Sequence, residues 1–264
     1  MTMISRAVAA VIEREVLKLC RQRGRLLAAL VRPLLWLLVI GGGLAAVQSA
    51  GGGTDYQSFL VPGVLGMTLL FGGMLAALST VYDKESGVMR MLIIAPFAHA
   101  WIVLAKAAGA MIAALVQASM LLAVLALLGF LNHSMSLSML ALGMAATALV
   151  CASLGMLIAA WSGTLDNYAT LMNLVIFPVF FLSGSLYPVQ RLPPVLRMIA
   201  TLNPYTHGVD LLRHAVVLGG DGAAFSVGLD IAVVAGFSIA ALATAAVRFS
   251  IDGMNEPLVR RLAQ

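Results

Sequence analysis

The sequence predicts an all-α integral membrane protein with six transmembrane helices, an N-terminal interfacial helix and further short helices at both membrane surfaces. Three observations carry this. Hydrophobic residues make up 61% of the 264 residues and charged residues only 10%, where a soluble domain has about 25% charged. The apolar residues gather in six runs, at about 27–48, 58–81, 100–130, 137–161, 168–187 and 226–248, each near the roughly 20 residues that cross a bilayer. The charges fall between these runs or near their ends, and unequally, so that 13 of the 16 lysines and arginines share one side.

That side holds Arg6, Arg14, Lys18, Arg21, Arg23, Arg25, Arg32, Lys84, Arg90, Lys106, Arg248, Arg260 and Arg261; the other holds Arg191, Arg197 and Arg213. The positive-inside rule makes the richer side cytoplasmic. Six spans then put both termini in the cytoplasm. The net charge of +5 flanks apolar segments, which suits anionic membrane lipids and not nucleic acid.

Residues 1–25 precede the first span and read as a cytoplasmic interfacial helix. Ile4, Val8, Val11, Ile12, Val16 and Leu19 recur at helical spacing on one face, and Arg6, Glu13, Arg14 and Arg21 on the other. Charges throughout this stretch and the lack of an apolar core speak against a cleavable signal peptide. Glu15 falls inside the apolar stripe. It either snorkels or pairs with Arg14 or Lys18, or it meets a partner subunit.

Residues 26–248 form the membrane domain. Between the second and third runs lies Tyr82-Asp83-Lys84-Glu85-Ser86-Gly87-Val88-Met89-Arg90-Met91-Leu92-Ile93-Ile94-Ala95-Pro96. Val88, Met91 and Leu92 give it a small apolar face. Asp83 and Glu85 near its start suit a helix N-terminus. Pro96 ends it, because the residue before proline avoids helical geometry. Gly87 either ends one turn or begins another. Such a segment is a surface-bound linker or a helix that presses into a groove on a cytosolic partner.

The third run is long enough to tilt. The fourth carries small residues at every fourth position, Gly143, Thr147, Cys151, Gly155 and Ala159, and the sixth carries Gly236, Ala240 and Thr244. This spacing lets helices approach closely in lipid, and packing within the chain is the expectation for both stripes. After the fifth run, about 188–218 reads as two short amphipathic helices broken at Asn203-Pro204. One places Val195, Leu196, Ile199 and Leu202 on a face, and the next Val209, Leu212 and Val216. Neither spans a bilayer, so both suit re-entrant or interfacial helices at the outer surface. Residues 249–264 form a cytoplasmic tail.

Chemistry-bearing motifs are sparse. No Gly-Lys dipeptide occurs, so there is no phosphate-binding loop of the form GxxxxGK[ST]. Cys20 and Cys151 are far apart and read as inert. His99, His133, His207 and His214 are scattered, and a metal site between the last two is disfavoured by their separation of about two turns. Ionisable residues at mid-membrane depth, which would mark an ion path, are essentially missing. That argues against the rival reading of a stand-alone secondary carrier or channel driven by an ion gradient. A membrane enzyme or scaffold would need a catalytic constellation, and none is visible.

The stretches Asp83 to Pro96 with Lys106, Phe181-Leu-Ser-Gly-Ser-Leu-Tyr-Pro-Val-Gln-Arg-Leu-Pro193, and Leu202-Asn-Pro-Tyr-Thr-His-Gly-Val-Asp-Leu-Leu-Arg213 resemble, in this order, segments of the type 2 ABC export permeases. The resemblance covers the whole chain. It implies a half-transporter: a permease that is not itself an enzyme, paired with a second copy as a homodimer in the bacterial inner membrane. Two copies of a separate ABC ATPase subunit bind below, carrying ATP and Mg. It further implies that about 83–96 is the coupling helix, with Asp83, Glu85, Gly87, Arg90, Leu92 and Pro96 as its key positions, and that the N-terminal helix, Glu15 included, adds ATPase contacts. Members export drugs, lipid-linked glycans, lipo-oligosaccharides and other amphiphiles outward. Glycan exporters of the family tend to line the path with aromatics, for which Trp36, Phe71, Phe177, Phe180, Phe181 and Tyr187 are available here. These also suit packing or interfacial anchoring, and an aromatic content of 7% favours a hydrophobic drug or lipid over a long polysaccharide.

Overall fold

The computed structural model describes residues 10, 12–15, 17, 23–43, 56–89, 99–131, 135–216 and 223–254. Among these residues every regular element is helical. In chain order they are α1 (Arg23–Leu35), α2 (Tyr56–Glu85), α3 (His99–Leu127), α4 (Leu137–Trp161), α5 (Leu165–Phe181), α6 (Pro194–Leu202), α7 (Pro204–Val216) and α8 (Val227–Met254). A π-helical turn, Trp36–Gly41, continues α1, and a 3-10 turn, Val189–Arg191, precedes α6.

Four helices are long and apolar enough to cross a membrane: Phe59–Glu85 in α2, Ala100–Leu127 in α3, Leu137–Trp161 in α4 and Val227–Ile251 in α8. The predicted first and fifth runs are shorter apolar helices, Leu30–Val39 and Leu165–Phe181. Pro33 inside α1 has no N–H for the ladder, and the chain winds as a π turn just beyond it. α5 stops at Phe181, short of the predicted 187. There the Ser183 amide and hydroxyl both donate to the Phe180 carbonyl, and Gly184 takes a left-handed φ of 75°. α4 matches its predicted bounds, because Ser136 caps its start by accepting from the Met139 amide and Ser162 turns extended at its end.

α2 is the axis of the bundle. Of its apolar window 78% is buried, against 28% for α8 at the periphery. Lipid tails are as apolar as leucine, so close packing holds these helices together more than burial does. Glycines on α2 supply it. A Cβ on Gly63 would overlap the Ser185 carbonyl oxygen, and one on Gly66 would lie 2.7 Å from the Tyr205 hydroxyl. The α4 stripe packs inside the chain as expected. Gly143 abuts the backbone of Leu211 and Leu212, Thr147 meets Gly208, Cys151 meets Gly73, and Gly155 meets Ala77. The α8 stripe departs from expectation: Gly236, Ala240 and Thr244 are exposed, and nothing lies within 4 Å of a Cβ on Gly236. The periodicity is the same, but α8 turns its small face away from the rest of the chain.

The bundle has two polar ends, called here the Lys106 end and the His207 end. At the latter, α6 exposes Val195, Leu196, Met198, Ile199 and Leu202, whereas α7 is buried along its length between α4 and α8.

Candidate functional site

The Lys106 end is organised by three consecutive residues at the close of α2. Asp83, Lys84 and Glu85 lie on the last turn of that helix. The sequence reading placed Asp83 and Glu85 at the start of a separate surface helix, and this is corrected. α2 runs on through Glu85 because all three side chains find partners on other helices.

Asp83 is buried and faces Lys106 on α3, which it pairs with directly, and Arg14 of the N-terminal segment. Lys106 Nζ also donates to Glu15 Oε1 at 2.6 Å, and Arg14 lies 3.6 Å from the same oxygen. The Lys106 and Asp83 side chains are 1% and 2% exposed. A buried charge is tolerated only when paired and hydrogen-bonded, and here two cations and two carboxylates from three separate segments meet that condition. Glu15 is therefore turned toward α3, where it lies nearer to Lys106 than to Arg14.

Lys84 Nζ donates to the carbonyls of Ala159 and Ala160 at 3.0 Å each, among the last carbonyls of α4. It also lies 4.3 Å from the Phe249 ring centroid on α8. Glu85 Oε2 accepts from the Leu165 amide at 3.1 Å, the first residue of α5. Helix ends leave such groups without intrahelical partners, and the charges match the helix dipoles: a cation at the C-terminus of α4 and an anion at the N-terminus of α5.

Gly87 follows at φ 78°, in the left-handed region that favours glycine. Its amide donates to the Lys84 carbonyl at 3.2 Å. Gly87 thus ends α2, and Val88 and Met89 begin new helical geometry. Met89 is buried in an apolar cleft lined by Thr80, Ile102, Val103, Lys106, Met156 and Phe249. It plugs the start of the following segment into α2, α3, α4 and α8. Arg90, Leu92 and Pro96 lie outside the described residues.

Of the aromatic residues singled out, four form one cluster. Trp36 meets Phe180 and Phe181 edge-on at 6.0 and 6.2 Å, Phe180 meets Phe181 at 5.6 Å, and Phe177 stacks on Phe181 at 6.3 Å. These spacings fall within the favourable range for ring pairs. The cluster joins the π turn to the end of α5, with Phe177 and Phe181 exposed. Tyr187 joins it by donating its hydroxyl to the Phe181 carbonyl. Phe71 stands apart, under the Arg32 guanidinium at 4.1 Å.

The His207 end carries a second polar cluster that the sequence reading missed. Periodicity marked Val209, Leu212 and Val216 as the buried face of α7, but His207, Asp210 and Arg213 on its other faces are buried too. His207 Nδ1 lies 2.7 Å from Asp230 Oδ1 on α8, and Nε2 lies 3.0 Å from the Thr201 carbonyl. Burial pulls the His207 pKa down, but these two acceptors outweigh it and leave the group above the ordinary histidine value. Asp210 accepts from the amides of Ala224 and Phe225; burial raises its carboxyl above the usual range against the pull of those amides. Both ring nitrogens of His207 are thus engaged within the protein. The signal that could have found this cluster is the run of four ionisable residues on so apolar a chain.

Residues 6–217 match the family model described as ABC-2 type transporter. A chain of Porphyra purpurea named as a transport permease, ycf38, is 29% identical over 217 residues, covering 80% of this chain and 74% of its own. Nodulation protein J of Rhizobium leguminosarum bv. trifolii is 30% identical over 196 residues, 74% of each chain. A chain of Escherichia coli named as a multidrug ABC transporter permease, YbhR, is 28% identical over 160 residues, 60% of this chain and 44% of that one.

Proposed function

This chain belongs to the ABC-2 type transporter family and is a multi-pass membrane permease, and we propose that it forms the substrate path of an exporter driven by a separate ATPase. In this reading the Lys106 end faces the cytoplasm, both termini lie there, and α1 with its π turn and α5 complete a six-span domain. The segment that follows Glu85, to about residue 96, is the contact for the ATPase, which carries the ATP and Mg, and the N-terminal helix docks beside it. Two permease copies and two ATPase copies make the working unit.

The observation that supports this best is the grip of Asp83, Lys84 and Glu85 on the N-terminal segment, α3, α4, α5 and α8. Any push on the segment that follows Gly87 reaches the ends of the spans through these three side chains and through Met89. A motion of an external engine thereby becomes a motion of helices.

The cargo in this proposal is an amphiphile, and a hydrophobic drug or lipid more than a long polysaccharide. One relative is named for multidrug transport, and Phe177 and Phe181, the exposed members of the aromatic cluster, offer apolar ring faces to such a molecule.

The test is purification of the tagged chain from native membranes in mild detergent. An ATP-binding subunit should co-purify at one-to-one stoichiometry, and Leu92→Asp should release it while membrane insertion is unchanged. Gradient-driven transport by the chain alone in liposomes, with no ATPase added, would overturn the reading.

A further inference from the structure

At the His207 end, Asp210, His214 and Asp230 each present one ligand atom within 4.8 Å of the other two. His214 Nε2 lies 3.9 Å from Asp210 Oδ2 and 3.9 Å from Asp230 Oδ2. Asp210 and His214 sit one turn apart on α7, and Asp230 is on α8. The second, independent observation is Asp230 itself. It is fully buried, and its Oδ2, the oxygen turned to His214, has no hydrogen-bond partner. Buried polar atoms are satisfied in the large majority of cases, and an orphan calls for an occupant. Arg213, the neighbouring cation, does not supply one: it donates to the Gly184 carbonyl and lies 4.3 Å from the Phe59 ring.

We propose that this pocket binds a divalent transition-metal ion of the zinc type, held by Asp210, His214 and Asp230. The donor set is one imidazole and two carboxylates, which suits a borderline ion better than an all-oxygen cation such as calcium. Metal–ligand bonds of about 2.0–2.2 Å in tetrahedral geometry place ligand atoms roughly 3.4 Å apart. The 3.9 Å pairs must then close by about 0.5 Å. The supporting shell is built. Asp230 Oδ1 is held by His207, which is held by Thr201, and Asp210 is held by the amides of Ala224 and Phe225. Such outer partners orient ligands and tune affinity.

His214 Nε2 lies 3.0 Å from the Phe225 carbonyl, so without metal this nitrogen carries the proton. Binding moves the proton to Nδ1 and turns the Nε2 lone pair to the ion. His214 keeps a side-chain exposure of 17%, which gives the ion a way in from the surface, whereas both aspartates are closed off. The bound ion joins α7 to α8 and fixes the buried helix against the last one.

The test uses the full chain purified in detergent, stripped with EDTA and titrated with Zn2+ alone by calorimetry, with thermal unfolding alongside. One Zn2+ per chain is expected, with a raised Tm. His214→Gln keeps an N–H for the Phe225 carbonyl but is a poor ligand, so it should fold without metal and lose at least about 10-fold in affinity. Absence of binding to the wild-type chain, or equal binding and equal Tm gain in His214→Gln, overturns the proposal. Should that variant not fold, Co2+ added to the unaltered chain decides: an intense tetrahedral visible spectrum supports the site, and a weak aqueous one rejects it.

Discussion

Lys84 and Glu85, adjacent at the end of α2, hold opposite sides of one connection: Lys84 takes the last carbonyls of α4 and Glu85 the first amide of α5. Two neighbouring side chains of opposite charge thus close the gap between consecutive helices that neither belongs to.

Glu85→Ala should lower stability by about 0.5–2 kcal/mol, the range for loss of a helix cap. Glu85→Gln retains an acceptor for the Leu165 amide and should stay near the wild type. Thermal unfolding in detergent separates them. Equal losses in both would show that the charge acts, and not the hydrogen bond.

Asp83→Asn takes one of its two carboxylate partners from Lys106 and leaves Glu15, so the loss should fall below the roughly 3–5 kcal/mol of a fully broken buried pair. Adding Lys106→Met removes the underpaired cation. The double variant should therefore be more stable than the sum of the single losses predicts, by about 0.5–3 kcal/mol. A double-mutant cycle measures this, and strict additivity would mean the two do not interact.

Gly87→Ala meets no atom within 4 Å, so its whole effect is the left-handed backbone, roughly 1–2 kcal/mol. Asn tolerates that conformation better, so Gly87→Asn should lose less than Gly87→Ala when the two are unfolded side by side. The reverse order would place the effect in the following segment.

Gly63→Ala and Gly236→Ala form a matched pair. The first drives a methyl into the Ser185 carbonyl, and the second adds one in open space. Folded yield and Tm should collapse for Gly63→Ala and hold for Gly236→Ala. A normal Gly63→Ala protein would mean that the turn after α5 is free to move off α2.

The long helices were legible because composition alone marks them; α4 ends where a serine caps it and where Ser162-Gly163 stops the apolar run. The arrangement at the Lys106 end was not. Asp83, Lys84 and Glu85 read as part of a surface segment because charges among apolar residues normally face water, and their hydrogen-bond partners lie 23 to 80 residues away in sequence. The buried polar side of α7 escaped for a related reason. Helical periodicity identifies an apolar face but says nothing of the opposite one, whose cover here comes from Asp230 and the residues before α8. Glu15 stands out in the sequence as a carboxylate among apolar residues, but local spacing does not name its partner on α3.

The close fit of Gly63 against Ser185 has a mechanical consequence. Where backbone presses directly on backbone, no flexible side chain remains between the surfaces to act as a bearing. α2 and the turn that follows α5 must therefore travel as one piece. The seam between the π turn and the end of α5 is of another kind: aromatic rings meet there edge-on, and rings can slide.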